Sequence, residues 1–295
     1  MNPKIWWKII HENHRIHNFL NLVRRNGCLI LPNNFRLCFN NKNHRDVKNL
    51  FAFSLSYGVE FSDREGYWRY KDNIITTASN IHFHVKLFNP LIFSETFLSD
   101  IHFSDFDLVG KTIVQAGGFI GDTALYYASR GAKVYSFEPV IDLYKLALEN
   151  IKLNPDLAKN IVMENYAIGK DEKIDFPIDP SGVGGSSAYD LVDKNTITVK
   201  SVSISSVLAE FSIDNPFLLD LDIKGKEFEV LNDKNISKFT MVRIEFSPFI
   251  NGKILGNRDD IIKKLNEYGF NKIRIFKHNE FANDLHKHGT IEALK

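Results

Sequence analysis

The sequence predicts an α/β protein in which a mostly parallel sheet is flanked by helices and follows an N-terminal α+β accessory region. From about residue 110, apolar runs of strand length alternate with segments of helical periodicity, as in a parallel sheet covered on both faces. A glycine-rich turn joins the first of these strands to the first helix. The last two predicted strands have no helix between them, so we expect them to pair antiparallel, because a parallel crossover needs about a dozen residues.

We predict that the chain divides at Asn89-Pro90 into an accessory region, residues 1–88, and a larger domain, residues 89–295. The accessory region opens with an amphipathic helix over 3–25, whose apolar side chains recur at helical spacing and whose end is followed by Gly27. The other predicted elements of this region are a helix at 46–56 and strands or apolar segments at 28–31, 35–39, 67–70, 73–77 and 81–87.

The larger domain is divided by its apolar runs and by its turn residues. Strands are predicted at 112–116, 133–137, 161–165, 196–202, 217–223, 241–246, 272–276 and 289–293. Helices are predicted at 122–129, 140–153, 205–211 and 258–268. A polar excursion rich in Gly and Ser covers 170–195, and its segment 181–187 reads equally well as a substrate lid and as a hairpin tip.

The amino-acid composition and the charge limit the classes of function that the chain can have. The 295 residues are 44% hydrophobic and 25% charged, as in ordinary folded proteins, and the net charge of +1 creates no global field toward nucleic acid or membrane. Residues 1–50, however, hold nine Lys/Arg and two Asp/Glu, a balance of 9 − 2 = +7, against 28 − 34 = −6 for the remainder. We favour a solvated basic face for this segment over an acidic partner.

The two cysteines, Cys28 and Cys38, lie symmetrically about Asn33, so a hairpin there would place them opposite each other. A disulfide is compatible with this spacing, but we expect a reduced pair, because disulfides are rare inside cells. No apolar run reaches the roughly 20 residues that span a membrane, and no signal peptide is evident. The cytoplasm is therefore the expected location.

The glycine-rich turn Gly117-Gly118-Phe119-Ile120-Gly121 suggests a nucleotide-type cofactor. Glycines adopt backbone angles that other residues avoid and let a ligand approach the main chain, and the helix that follows offers free N–H groups. Glu138 ends the next predicted strand, where a carboxylate can accept both hydroxyls of a ribose. The turn alone also fits NAD or a simple tight turn.

Four segments in combination resemble the FkbM-type methyltransferases. They read VQAGGFIGDTALYYA at 114–128, AKVYSFEP at 132–139, NYAIG at 165–169 and LDLDIKGKEFEVL at 219–231. The resemblance runs from about Phe93 to the C-terminus. It implies a Rossmann-like sheet of seven strands with the last antiparallel, S-adenosylmethionine (SAM) as cofactor, and O-methylation of a sugar, lipid or small molecule. The cofactor-binding residues it implies are Gln115, Gly117, Gly118, Phe119, Gly121, Asp122, Thr123, Glu138, Pro139, Asn165, Tyr166 and Ala167.

The chain departs from the family pattern at two functional positions. The family usually has an acid at the position of Gln115, which helps to bind the methionine ammonium of the cofactor. An amide there still accepts a hydrogen bond but lacks the charge, at a cost of about 1–2 kcal/mol. The family usually has Glu at the position of Lys224, which puts its catalytic assignment in doubt. Phe119 stands where Asn is common, and it is predicted to pack against the cofactor.

Asp222, near the end of the predicted strand 217–223, is our first candidate for organising the reacting centre, where a methyl acceptor must be aligned and an acceptor hydroxyl must lose its proton. Glu245 on the neighbouring strand is the second candidate, as a base or as a substrate ligand. Lys224 is a candidate for steering an anionic substrate or, with a depressed pKa, for acting as a base. Asp220 and Arg243 are equally well explained as a buried ion pair that fixes strand pairing.

No metal site is predicted. No compact group of three or four ligands is visible in the sequence. Smaller sets that could contact a metal are His82 with His84, His11 with His14 and His17, and, for Mg²⁺, Asp222 with Glu245. The expected partner is a small-molecule or glycan acceptor, with a homodimer as an open option. Three alternatives stay open: an RNA methyltransferase with a basic N-terminal region, a non-catalytic SAM-binding domain, and an NAD-dependent oxidoreductase. The Trp-containing basic helix at 3–25 also suits a membrane surface, but packing within the protein is favoured.

Overall fold

The structure is a computed structural model that describes residues 14–31, 34–57, 68–97, 106–177, 196–250, 253–277 and 288–295. The chain forms two compact units, one within residues 1–99 and one within 100–295. The predicted boundary at 88/89 precedes the helix Pro90–Phe97, which lies in the first unit. The segment 181–187 and the start of the predicted first helix lie outside the described residues. Among the described residues, no helix combines the length and the apolarity needed to cross a bilayer.

The first unit contains three helices and two small antiparallel sheets in its described part. The helices are α1 (Arg15–Arg24), α2 (His44–Tyr57) and α3 (Pro90–Phe97). One sheet pairs β1 (Gly27–Ile30) with β2 (Arg36–Phe39), and the other has the order β3 (Arg69–Lys71), β4 (Ile74–Thr76), β5 (His82–His84). Edge-to-face aromatic contacts join Phe83 to Phe93 and Phe88 to Phe53, and a tilted contact joins Phe88 to Phe93. Burial of aromatic side chains therefore holds this unit together.

The β1–β2 hairpin corrects the prediction for the two cysteines. Cys28 and Cys38 are directly opposite each other in the register and are joined by a disulfide. The expectation of a reduced pair was wrong, because it rested on the rarity of disulfides inside cells, whereas the register of the hairpin places the two cysteines directly opposite each other. The location of the protein stays a prediction.

The second unit alternates strands and helices as predicted. Its strands are β6 (Thr112–Ala116), β7 (Lys133–Phe137), β8 (Ile161–Glu164), β9 (Ala167–Ile168), β10 (Glu172–Pro177), β11 (Thr196–Val202), β12 (Leu218–Leu221), β13 (Met241–Phe246), β14 (Phe249–Ile250), β15 (Lys253–Ile254), β16 (Lys272–Phe276) and β17 (Gly289–Leu294). Its helices are α4 (Asp122–Ser129), α5 (Ile141–Lys152), α6 (Pro155–Ala158), α7 (Ile204–Glu210), α8 (Glu227–Val230) and α9 (Arg258–Glu267), with a 3₁₀ turn at Lys234–Lys238.

Seven strands form the main sheet in the order β16-β17-β13-β12-β6-β7-β8. The five from β13 to β8 are parallel, and the final strand β17 pairs antiparallel with both β13 and β16. The predicted fold class and the antiparallel final strand are therefore confirmed. The excursion at 170–195 contains a strand that was not predicted, β10, which pairs antiparallel with β11. Its three charged residues, Glu172, Lys173 and Asp175, are all exposed and interrupt its apolar residues, so its sequence lacks an apolar run.

The two faces of the main sheet differ in polarity. One face is an apolar core in which Val114, Phe137, Leu219 and Ile244 are packed with side chains of α7 and α9. On the other face, under α4, the strands carry a line of register-paired polar residues. We call this line the polar row, and it consists of Ser136, Gln115, Asp220, Arg243, Glu292 and Arg274.

The centre of the polar row is a buried ion pair. Arg243 Nη1 donates to Asp220 Oδ1 over 2.7 Å, both side chains are almost fully buried, and Tyr127 of α4 donates its hydroxyl to Asp220 Oδ2 over 2.8 Å. Burial lowers the pKa of Arg243, but the adjacent Asp220 carboxylate outweighs it and holds that pKa above its usual value. The structural interpretation of Asp220 and Arg243 is confirmed: they tie β12 to β13 and α4.

Removal of one partner of this pair should be much more costly than removal of both. We expect Arg243→Leu to lower the free energy of unfolding by about 3–5 kcal/mol, because it leaves the Asp220 carboxylate buried without its cation. The double variant Asp220→Leu/Arg243→Leu should recover most of this loss. Urea denaturation measures all three proteins.

Arg274→Leu is the matched control within the same polar row. Arg274 also pairs with a carboxylate, Glu292, over 2.7 Å, but its own side chain is 61% exposed, so its removal should cost about 1 kcal/mol or less. An Arg243→Leu protein as stable as Arg274→Leu would contradict the account of the sheet.

Candidate functional site

The carboxyl ends of four parallel strands meet above the polar row. Side chains alternate along a strand, so the residues two positions beyond the polar row return to the same face. These residues are Gly117, Glu138 and Asp222, which directly follow β6, β7 and β12, and Glu245 near the end of β13. The crevice outside such strand ends is where open α/β sheets bind ligands.

The glycine turn is shaped by its contact with the neighbouring strand end. Gly117 has φ +91°, and a Cβ built on it would lie 2.1 Å from the backbone carbonyl oxygen of Asp222. A Cβ on Gly118 would lie 2.6 Å from Ser136 Oγ. Packing inside the protein therefore explains both glycines, while their role in admitting a ligand stays a prediction.

The turn leads directly into helix α4. Phe119, half-buried, has φ +45°, an uncommon angle for a residue with a side chain. Gly121, with φ +80°, occupies the N-cap and has no side chain with which to cap the helix. Asp122 and Thr123 are buried in the first turn. The positive end of the α4 dipole lies at this turn.

Glu138 joins two loops through its carboxylate. Oε2 accepts the N–H of Phe119 over 2.9 Å, and Oε1 accepts the N–H of Val140 over 2.8 Å. Burial raises the pKa of Glu138 to about 7 against the lowering effect of these two hydrogen bonds, and the negative charge of Asp222 adds to the rise. Each carboxylate oxygen can accept two hydrogen bonds, so capacity remains for a ligand with paired hydroxyls.

The loop after β8 supports this arrangement. Asn165 Nδ2 donates to the backbone oxygens of Glu138 and Pro139, over 2.8 and 3.0 Å. Tyr166 lies parallel to the buried Phe137, and the Lys200 ammonium lies 3.9 Å from the centre of the Tyr166 ring. Ala167, the last residue of the predicted set, is buried at the start of β9. The structure thus brings the loops after β6, β7 and β8 together.

Gln115 lies one layer below the crevice. Its Oε1 accepts the hydroxyl of Ser136 over 2.8 Å, and its side chain is buried. The sequence analysis missed Ser136, although a serine two positions before Glu138 in an apolar strand was a usable signal. This hydrogen bond fixes the orientation of the amide that stands where the family usually has an acid.

Asp222, Lys224 and Glu245 form a chain of alternating charge at the strand ends, and His288 lies beside Glu245. Lys224 Nζ lies 3.5 Å from Asp222 Oδ1 and 3.2 Å from Glu245 Oε1, and His288 Nε2 lies 3.5 Å from the same Glu245 oxygen. The Asp222 side chain is 41% exposed, whereas that of Glu245 is 2% exposed. Of these two carboxylates, only that of Asp222 is exposed enough for a substrate to reach.

Lys224 is held as a cation. The carboxylates of Asp222 and Glu245 raise its pKa above the usual value, which is the opposite of the shift that a lysine base requires. Its ammonium also occupies the space between the two carboxylates where a divalent cation was considered. Its backbone has φ +47°, an angle that costs energy for a residue with a side chain and is often found at functional sites.

Glu227 explains how this strained turn is held, and the sequence analysis missed it. The side chain is fully buried at the start of α8 and accepts the N–H of Gly225 and, over 2.7 Å, the N–H of Ser247. Burial raises its pKa to about 7. A Glu two residues after a glycine at a strand end was the available signal. Glu227 thus does for the loops after β12 and β13 what Glu138 does for the loops after β6 and β7.

Several solved structures are similar to this chain at low sequence identity. Magnesium protoporphyrin IX methyltransferase (ChlM) from Synechocystis PCC 6803 with bound SAM is 13% identical, with 68% of this chain and 76% of that chain covered and a TM-score of 0.39. The N-terminal domain of human METTL16 in complex with SAH is 9% identical, with 96% and 97% covered and a TM-score of 0.43. The precorrin-6y C5,15-methyltransferase from Geobacter metallireducens GS-15 is 9% identical, with 72% and 93% covered and a TM-score of 0.40.

No curated protein sequence matches the chain. The family model of the methyltransferase FkbM domain matches residues 115–272, which is more than half of the 295 residues and includes the glycine turn, Glu138 and the Asp222–Lys224 segment. The predicted family is confirmed: this chain belongs to the FkbM methyltransferases, a family of SAM-dependent enzymes.

Proposed function

We propose that this chain transfers a methyl group from SAM to a hydroxyl oxygen of a small molecule, a sugar or a lipid-linked glycan. The observation that carries the proposal is the buried carboxylate of Glu138, which joins the glycine turn to α5 and retains acceptor capacity toward the crevice. This is the chemistry that a ribose with two neighbouring hydroxyls requires.

The residues present fit the adenosine part of the cofactor. In this proposal Glu138 accepts the ribose hydroxyls, and the first turn of α4 from Gly121 to Thr123 offers N–H groups. Phe119, Pro139 and the segment Asn165–Ala167 line the adenine side. Because Asn165 already donates to two backbone oxygens, its main contribution is to hold the loop after β7 in place.

The methionine end of the cofactor is assigned to Gln115. Its amide offers a dipole but no charge, so it attracts an ammonium group less strongly than a carboxylate would, by about 1–2 kcal/mol. The neighbouring acid Asp220 does not compensate for this, because its charge is balanced by Arg243. We therefore expect weaker SAM binding than in relatives with an acid at this position.

When bound, SAM supplies a methyl group that its sulfonium activates toward a nucleophilic oxygen. Asp222 is positioned to take the proton of the acceptor hydroxyl, because its carboxylate is reachable and stands at the strand end beside Gly117. The Lys224 ammonium lies 3.5 Å from this carboxylate. The buried Glu245 balances Lys224 and fixes its position, so we assign Glu245 a positioning role.

Two of the earlier alternatives concern the same cofactor. An RNA methyltransferase and a non-catalytic SAM-binding domain are tested together by incubating the protein with methyl-labelled SAM and separate RNA, protein and small-molecule fractions of a cell extract. Label in the small-molecule or glycan fraction supports the proposal. Label in RNA alone, or no label despite SAM binding, contradicts it.

Glu138→Ala should reduce the affinity for SAM more than 100-fold. It removes an acceptor that makes charge-assisted hydrogen bonds to both ribose hydroxyls, a loss of about 3 kcal/mol or more. Isothermal titration calorimetry measures the affinity. The matched control is Glu227→Ala, because Glu227 is equally buried and also accepts two backbone N–H groups. Equal losses in both variants would show that Glu138 acts only on the structure.

Binding of the adenosine part should weaken as the pH falls below about 7. Hydroxyl donors favour the ionised carboxylate, so ligand binding lowers the pKa of Glu138 from about 7, and each pH unit below that value should reduce affinity by up to about tenfold. Above pH 7 the affinity should be constant. Methylthioadenosine is the suitable ligand because it lacks the amino-acid group of SAM. Equal affinity at about pH 6 and pH 8 would contradict this role for Glu138.

Asp222→Asn should lower turnover by a factor of about 10²–10⁴ and leave SAM affinity nearly unchanged, because the amide cannot take the proton. The rate of label transfer to the active fraction measures it. Asp175→Asn is the control, since Asp175 lies on the exposed side of β10. Wild-type turnover in Asp222→Asn would show that another group takes the proton.

A further inference from the structure

Helix α1 (Arg15–Arg24) in the first unit has its polar side turned inward. Asn18, which is 3% exposed, donates to the carbonyl oxygen of Ile30 and accepts the N–H of the same residue, over 2.9 and 2.7 Å. Asn21 and His17 both contact the carbonyl oxygen of Cys28 at 3.0 Å. These side chains satisfy the edge of β1, which would otherwise present unpaired backbone groups.

The apolar side of α1 consequently faces outward. We call this surface the α1 face. It consists of Ile16, Phe19, Leu20 and Val23, which are 72%, 44%, 42% and 65% exposed. At about 100° per residue these positions form one stripe roughly 100° wide. Among all the described residues only eight large apolar side chains are exposed, and half of them lie in this single stripe.

Arginines border the stripe on both sides. By the same helical geometry, Arg15 lies just beyond one margin and Arg24 just beyond the other. Arg25 follows at the C-terminal end, and all three are exposed. The surrounding sequence is basic as a whole, with a balance of +7 over residues 1–50. An apolar stripe bordered by cations suits a lipid interface, where the stripe enters the acyl boundary and the arginines reach anionic headgroups.

We propose that the α1 face docks the protein on an anionic membrane surface, with the helix lying in the plane of the interface. The Asn18 hydrogen bonds hold α1 against β1 with the apolar stripe outward, and the disulfide joins β1 to β2. The orientation of the stripe is therefore fixed before the protein meets a membrane. These charges favour a membrane over a second copy of the chain as the partner of the α1 face, because two such faces in contact would bring their arginines close together. The inference is independent of the methyl acceptor and of the cofactor site.

Vesicle co-sedimentation with the full chain tests the proposal. Vesicles of phosphatidylcholine with phosphatidylglycerol should bind the wild type, whereas phosphatidylcholine alone should bind it far more weakly. Ile16→Ser/Val23→Ser should lower the partition coefficient about tenfold or more. Arg15→Gln/Arg24→Gln should lower it about fivefold per arginine on anionic vesicles, and this loss should disappear at high salt.

The chain offers a closely matched control for the apolar variant. Ile254 and Val109 are 73% and 70% exposed in the second unit, so Ile254→Ser/Val109→Ser removes the same two residue types at the same exposure. This control should bind vesicles like the wild type, and thermal melts should show that all variants are folded.

Three results would overturn the proposal. The first is equal binding by Ile16→Ser/Val23→Ser and the wild type. The second is binding that does not distinguish anionic from zwitterionic vesicles. The third is a wild-type dimer in analytical ultracentrifugation that Ile16→Ser/Val23→Ser dissociates, without vesicle binding by either protein, because a second copy would then be the occupant of the α1 face.

Discussion

The candidate site depends on one buried carboxylate that accepts hydrogen bonds from two loops. Glu138 connects the turn after β6 to the start of α5, and Asn165 connects the loop after β8 to the same point. Loops that end parallel strands would otherwise be free to move apart, because no strand pairing extends into them. Burial makes this carboxylate costly to ionise, as the raised pKa shows. That cost is offset most directly by a ligand that donates hydroxyl groups to it.

The buried polar row supports the candidate site from below. The polar row beneath the crevice contains the Asp220–Arg243 pair and the Ser136–Gln115 hydrogen bond, and the candidate site residues follow two positions later along the chain. Asp220 is buried and paired with Arg243, whereas Asp222 is partly exposed and lies beside the cation of Lys224. Two aspartates in one Asp-x-Asp segment therefore have different surroundings, because only one of them lies beyond the end of the strand.

Much of the second unit followed from the sequence, since β6, β7, β11, β13 and β16 were predicted with the observed bounds. These segments are bounded by glycine, proline or polar turns, and β6, β7 and β13 are buried on both faces, which leaves little ambiguity. The strand β10 was missed because half of its residues face solvent, and the disulfide could be decided only by the register of the hairpin. The roles of Glu227 and Ser136 depend on contacts between loops and strands, which no local pattern reveals. The outward apolar side of α1 was also not evident, because an amphipathic pattern does not say which side the protein buries.

The most direct test is a crystal structure of this chain with S-adenosylhomocysteine, which retains the adenosine and amino-acid parts of the cofactor. The account predicts both ribose hydroxyls within about 2.6–3.2 Å of the Glu138 carboxylate oxygens, with the amino-acid end toward Gln115. An occupied site elsewhere in the chain, or a crevice closed by Phe119 and empty at saturating ligand, would contradict it.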